Sequence, residues 1–194
     1  MGIDQINKAV FFDRDGVINK LVFNEKTNEY EPPHSPGKFI FEKDAIEILK
    51  KLYKNNFKLF IISNQPDYAK GKTTLENLKL VHSYFEMELL KNGIVFSSFY
   101  YCYHHPQGVV KDFSYKCDCR KPGTLFIKHA IKDFNINPQS SWFIGDRDSD
   151  IICGKNSGLK TILIKINESI NYIGKIHPDF NVICLKEACD IIIG

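Results

Sequence analysis

The sequence predicts an α/β domain built on a parallel sheet, and three observations carry that prediction. Short apolar runs at residues 9–12, 58–62 and 142–144 have the unbroken hydrophobic character of strands buried on both faces. Stretches of helical period lie between and around them, at residues 44–56, 73–92 and 124–134. The three runs end in Asp13-Arg14-Asp15, Ser63-Asn64-Gln65 and Gly145-Asp146-Arg147-Asp148, and open α/β sheets place their ligand sites at the carboxyl ends of strands.

The first strand, AVFF, is followed by two carboxylates at i and i+2. On an extended backbone such residues point to the same side, so Asp13 and Asp15 face one point beyond the strand, and Gly16 lets the chain turn away. Residues 20–44 form a long polar connection with Pro32, Pro33, Pro36 and Gly37, of a length that suits either a pocket wall or a solvated excursion. Asp44 is placed to cap a helix whose Ala45, Ile48, Leu49 and Leu52 share one face. The second strand then delivers Ser63, which the sheet brings beside Asp13 as a donor to a phosphoryl oxygen. Leu75, Leu78, Val81, Phe85 and Leu89 make the core stripe of the next helix, and a strand at residues 98–101 leads to Cys102.

Cys102-Tyr103-His104-His105 and Cys117-Asp118-Cys119 are two short ligand pairs separated by a loop. Cys102, His104, Cys117 and Cys119 suit a tetrahedral Zn²⁺ site of the Cys₃His type, and four protein ligands leave no open position, so the expected zinc is structural. The C-x-H spacing favours His104 over His105. Arg120 and Lys121 follow directly and are placed to hold a substrate phosphate. The acidic cluster after the strand at 142–144 adds oxygen ligands from a second loop, the donor set that Mg²⁺ prefers. A helix over 150–156, strands over 161–165 and 182–185 and a terminal helix complete the chain, with Cys153, Cys184 and Cys189 expected as core thiols.

Composition narrows the classes. The net charge of +3 comes from 26 basic and 23 acidic residues without a block of like charge, so neither a nucleic-acid partner nor a membrane surface is expected. No signal peptide is recognised and no apolar run reaches the roughly 18 residues of a membrane span. A cytoplasmic monomer of one domain over residues 1–194 is expected, its cysteines reduced or bound to metal.

With these pieces in place, FFDRDGVIN, ISNQPDYAKG, CDCRKPG and FIGDRDSDIICGKNSGLKTILI resemble, in order and separation, the motifs of the haloacid dehalogenase (HAD) superfamily of phosphatases. The block YYCYHHPQG with CDCRKP resembles its zinc-loop branch, which includes heptose 1,7-bisphosphate 7-phosphatases and histidinol-phosphate phosphatases. The resemblance implies a Rossmann-like three-layer α/β/α sandwich with a minimal cap and a zinc-binding loop over residues 102–119. It implies an Mg²⁺-dependent phosphomonoesterase acting on a small sugar phosphate, foremost a heptose bisphosphate of a surface-polysaccharide pathway, with histidinol phosphate or another small phosphomonoester as the alternative. Asp13 would be the nucleophile and Asp15 the acid/base. Asp13, the Asp15 carbonyl and Asp146 would hold Mg²⁺, and Ser63 and Lys121 would stabilise the transferring phosphoryl group. Asn64, Arg120 and Arg147 would meet the substrate. Pro66-Asp67, Arg147, Gly123 and the long loop at 29–38 depart from the heptose enzymes around the substrate and spare the chemistry. A non-catalytic binding protein of the same fold is the reading outside enzymes, and the intact Asp13, Asp15, Lys121 and Asp146 argue against it.

Overall fold

A computed structural model describes residues 6–194, so residues 1–5 of the expected domain, where a leader would begin, lie outside the described residues. Six parallel strands form one sheet: β1 (Ala9–Phe12), β4 (Lys58–Asn64), β5 (Ser98–Cys102), β6 (Trp142–Gly145), β7 (Lys160–Ile164) and β8 (Phe180–Val182), in the order β5-β4-β1-β6-β7-β8. A two-stranded antiparallel hairpin, β2 (Val22–Asn24) and β3 (Glu29–Glu31), stands apart from it.

The period-2 alternation of β1 makes the three layers. Val10 and Phe12 enter one core with Ile48, Leu49 and Leu52 of α1 (Ala45–Lys54), Val81, Phe85 and Leu89 of α2 (Leu75–Lys91) and Ala188 of α5 (Leu185–Ile193). Ala9 and Phe11 enter the other with Ile127 and Ala130 of α3 (Leu125–Asp133) and Cys153 of α4 (Asp148–Asn156). Phe11 stacks on Phe60 at 4.9 Å between centroids, and burying each such ring contributes roughly 1.5–3 kcal/mol. The central strand is thus covered on both sides, as its unbroken apolar run requires.

The register aligns the site. Phe12 pairs with Ile61 of β4 and Ile144 of β6, which brings Asp13, Ser63 and Asp146 to the same edge of the sheet. The polar segment 20–44 is not a plain connection: it folds into the β2–β3 hairpin and a 3₁₀ turn at Pro36–Lys38. Asp44 does not cap α1 through its carboxylate, because a capping residue is extended whereas Asp44 has φ +60°. Helix α2 is capped, with Thr74 accepting from the Asn77 N–H at 3.1 Å. Helix α4 begins two residues before the expected Asp150, β8 lies just before the expected 182–185, and Cys184 is exposed where a core thiol was expected. Among the described residues no helix is long and apolar enough to cross a membrane.

Candidate active site

Two carboxylates of the site leave strand ends and a third follows on a helix. Asp13 follows β1, Asp146 follows β6, and Asp150 stands one helical turn on in α4, with carboxylate oxygens of all three within 4.8 Å of one another. Gly16 turns the chain out of the site at φ +87°, and a Cβ there would stand 2.7 Å from Asp146 Oδ2. Three buried carboxylates repel, and the cations around them decide what is tolerated. Lys121 Nζ reaches Asp13 Oδ1 at 3.0 Å and Asp150 Oδ1 at 2.7 Å. Burial opposes the Lys121 charge, but these two partners outweigh it and hold the amine above its ordinary range. Asp150 spends its other oxygen on the backbone N–H groups of Asp146 and Arg147, at 3.2 and 3.0 Å.

Asp146 has less relief, its one ion pair among the described residues being Arg147 Nε at 3.7 Å from Oδ2. Burial, then Asp150 and Asp13, pushes its carboxyl up to about 7. Ser169 donates to its Oδ2, while among the described residues Oδ1 is buried without a hydrogen-bond partner. An unpaired buried oxygen beside two further carboxylates is the hard-oxygen set that a divalent cation satisfies.

Asp15 is held by three side chains. Arg14 grips it with Nε and Nη2, Asn19 Nδ2 donates to Oδ1 at 3.0 Å, and Gln65 Nε2 donates to Oδ2. Gln65 also donates to Ser63 Oγ at 3.1 Å, so the hydroxyl oxygen acts as an acceptor in that contact. Ser63 is buried at the strand end and is not among the residues that line the cavity. Asn64 lines it, but both polar atoms of its amide already bind the Lys121 backbone, the N–H at 3.0 Å and the carbonyl at 3.1 Å.

Asp13, Asp15, Arg120, Lys121 and Arg147 open together onto a cavity of about 310 Å³. The Arg147 guanidinium lies 4.1 Å from the centroid of Tyr172, and Arg120 Nη1 donates to the His104 carbonyl at 3.4 Å. Glu29, Tyr30 and Glu31 of the hairpin supply a wall, facing Asp67, Lys70 and Lys72 of the loop after β4. Two polar ties join these walls. Lys72 Nζ donates to the buried Glu31 and reaches Glu29 at 3.4 Å, and His34 Nε2 meets Asp67 Oδ2 at 2.8 Å. Lys72→Met is expected to speed amide exchange in residues 22–34 about tenfold, because leaving Glu31 buried without its cation costs about 1–3 kcal/mol. Hydrogen–deuterium exchange reads this directly, and unaltered exchange would show that the ties do not hold the hairpin.

The cysteine cluster assembles as the spacing predicts. Cys102, Cys117 and Cys119 Sγ lie 3.1–3.5 Å apart, and His104 Nδ1 is 3.7 Å from Cys102 Sγ and 3.5 Å from Cys119 Sγ. Tetrahedral zinc with bonds of about 2.3 Å to sulfur sets sulfur–sulfur edges of about 3.8 Å, so the group is near the size needed. Tyr115 binds His104 Nε2 at 2.7 Å and fixes the ring with Nδ1 inward. His105 is turned away from the sulfurs and lines the cavity instead.

A family model described as HAD-hydrolase-like matches residues 118–180. The D-glycero-beta-D-manno-heptose-1,7-bisphosphate 7-phosphatase of Pasteurella multocida is 31% identical over 88% of each chain. The chain belongs to the HAD superfamily of phosphatases. The D-glycero-alpha-D-manno-heptose-1,7-bisphosphate 7-phosphatase of Photorhabdus laumondii is 33% identical over 81% of this HAD chain and 82% of its own. The D,D-heptose 1,7-bisphosphate phosphatase of B. bronchiseptica, solved with magnesium and phosphate, superposes with a TM-score of 0.79 over 96% of this chain and 98% of its own, at 18% identity. That likeness shows the Rossmann-like HAD fold, and the sequence relatives make the chain a phosphoric monoester hydrolase.

Sequence reasoning missed several residues around this HAD site. Asp150, Asn19 and Gln65 sat inside motifs already singled out, and polar side chains so close to a strand end were the available signal. Lys72, Glu31, His34, Ser169 and Tyr172 carried none, since each meets its partner only through the folded chain.

Proposed function

We propose that this phosphatase removes the 7-phosphate of a D-glycero-D-manno-heptose 1,7-bisphosphate. The observation that carries the reading is the meeting of Asp13, Asp15 and Lys121 on one cavity, with the buried Asp146 beside Asp13 at the same sheet edge, in a chain whose curated relatives bear that activity.

Asp13 Oδ1 accepts from Lys121 Nζ and from the Arg14 N–H at 2.7 Å, which leaves Oδ2 as the nucleophile. Its attack forms an Oδ2–P bond and breaks the bond from phosphorus to the sugar oxygen, and Asp15 gives its proton to the departing alkoxide. Asp15 then takes a proton from water, whose oxygen attacks phosphorus, breaks the Oδ2–P bond and releases phosphate. Lys121 meets the charge that builds on the phosphoryl oxygens, and Ser63, the second donor of the motif, stands at the same sheet edge. Arg120 and Arg147 contact the remainder of the substrate, and Asn64 holds the Lys121 backbone in place beside them. Asp13, Asp146 and the Asp15 carbonyl would hold Mg²⁺, which when bound neutralises phosphoryl oxygens and lets one anion approach another. The Cys102, His104, Cys117 and Cys119 set would hold a structural Zn²⁺. The chain acts as one cytoplasmic domain and as a monomer, on a small molecule and not on nucleic acid or membrane.

Phosphate release is the deciding experiment, measured with Mg²⁺ on both heptose 1,7-bisphosphate anomers, histidinol phosphate, other sugar phosphates and a 3′-phosphorylated oligonucleotide. One heptose anomer is expected to lead by about 100-fold in kcat/KM, equivalent to about 2.7 kcal/mol of differential transition-state binding. Slow and equal hydrolysis across the panel would retain the chemistry and reject the heptose.

A further inference from the structure

Arg14 stands between the two carboxylates of the first loop and is only 1% exposed. A guanidinium so buried needs an anionic partner and satisfied N–H groups. The partner is Asp15: Nη2 donates to Oδ1 at 3.0 Å and to Oδ2 at 3.2 Å, and Nε donates to Oδ1 at 3.2 Å. On its other side the guanidinium lies 5.5 Å from the centroid of Tyr101. The Tyr101 hydroxyl interacts electrostatically with Arg14 and meets His82 Nδ1 at 3.2 Å. Arg14 does not line the cavity, whereas Asp15 does, so this cation is not offered to the substrate.

The donors divide unequally between the two oxygens of Asp15. Oδ1 receives Arg14 Nε, Arg14 Nη2 and Asn19 Nδ2, which fills its lone pairs. Oδ2 receives Gln65 Nε2 and the longer contact from Arg14.

We propose that Arg14 is the positioning residue for the acid/base carboxylate, occupying Oδ1 so that Oδ2 is the oxygen that exchanges a proton with the leaving group and then with water. The inference rests on the role proposed above for Asp15. Arg14 acts through Asp15 and lies outside the cavity that takes the substrate, and its fork geometry, rather than its charge alone, does the positioning, because a lysine ammonium is a point charge that cannot grip a carboxylate in two places.

Leaving groups distinguish this role from a merely structural one. A sugar alkoxide cannot depart without a proton, whereas 4-nitrophenolate departs unaided, so in kcat/KM, which ends at release of the leaving group and excludes the shared water step, a misplaced acid harms only the first. Arg14→Lys is expected to lower kcat/KM for an alkyl phosphate by about 30-fold or more and for 4-nitrophenyl phosphate by less than about threefold, within the roughly 10²–10⁴ that a general acid supplies. Equal losses on both substrates would overturn the proposal.

Asp15→Asn is measured in parallel. If its loss is selective for the alkyl ester and that of Arg14→Lys is not, Arg14 alone is rejected. If its loss is equal on both esters, the acid role of Asp15 fails and the positioning role falls with it. Should Arg14→Lys lack the native circular dichroism, Tyr101→Phe decides, since it keeps the ring against the guanidinium and removes the polar hydroxyl that interacts with it. A loss of about threefold confined to the alkyl ester supports the proposal, and unchanged or equally lowered rates on both esters reject it.

Discussion

Asp13→Asn lowers turnover of phosphomonoesters by roughly four orders of magnitude or more, which is about 5 kcal/mol of lost transition-state stabilisation. The amide has no anionic oxygen to attack phosphorus, so no aspartyl-phosphate forms and the displacement loses its first step. The fold is expected to survive. Lys121, fully buried beneath the site, would lose one of its two carboxylates, but Asp150 at 2.7 Å still neutralises it. The substitution also removes one of three mutually repelling carboxylates, which relieves the cluster. Rapid-quench assay and circular dichroism together test this: turnover within about tenfold of the native protein, a difference of only about 1.4 kcal/mol, would remove Asp13 from the nucleophilic role.

Loss of the cysteine cluster should have the largest effect on stability. Residues 103–116 contain a single 3₁₀ turn at Lys111–Phe113, and Val109 and Tyr115 are exposed, so this loop buries little apolar surface of its own. A closed metal site substitutes for the missing core. Metal analysis is expected to find about one zinc per chain. Cys117→Ser should lower the Tm by roughly 10 °C, or about 3–5 kcal/mol at ~2–4 °C per kcal/mol for a chain of this size. Because Arg120 and Lys121 follow Cys119 directly, KM for the substrate should rise as the loop loosens. A protein that is well folded, fully active and free of zinc would reject the assignment.

What was legible in the chain was local. The AVFF run, the Asp13 and Asp15 spacing and the two ligand pairs were readable because strand period and metal-ligand reach operate over a few residues, and both appear in the folded chain as β1, the acidic loop and the cysteine cluster. The hairpin was not readable. Its strands are three residues each, VFN and EYE, too short for a period and mixed in polarity. Asp44 misled because residue type suggests a cap, while the cap depends on backbone geometry that type does not determine.

Hydrophobic pattern and motif spacing by themselves determined the α/β alternation around a parallel sheet, the strand ends that carry the acids and the spacing that gathers the cysteine cluster. Tertiary structure alone decided how those acids are held. Glu31 meets Lys72 across 41 positions, His34 meets Asp67 across 33, and Gln65 reaches Asp15 across 50. Such partners leave no periodic trace, because a buried charge needs a counter-charge in space and any separation along the chain satisfies it once the sheet has set its register.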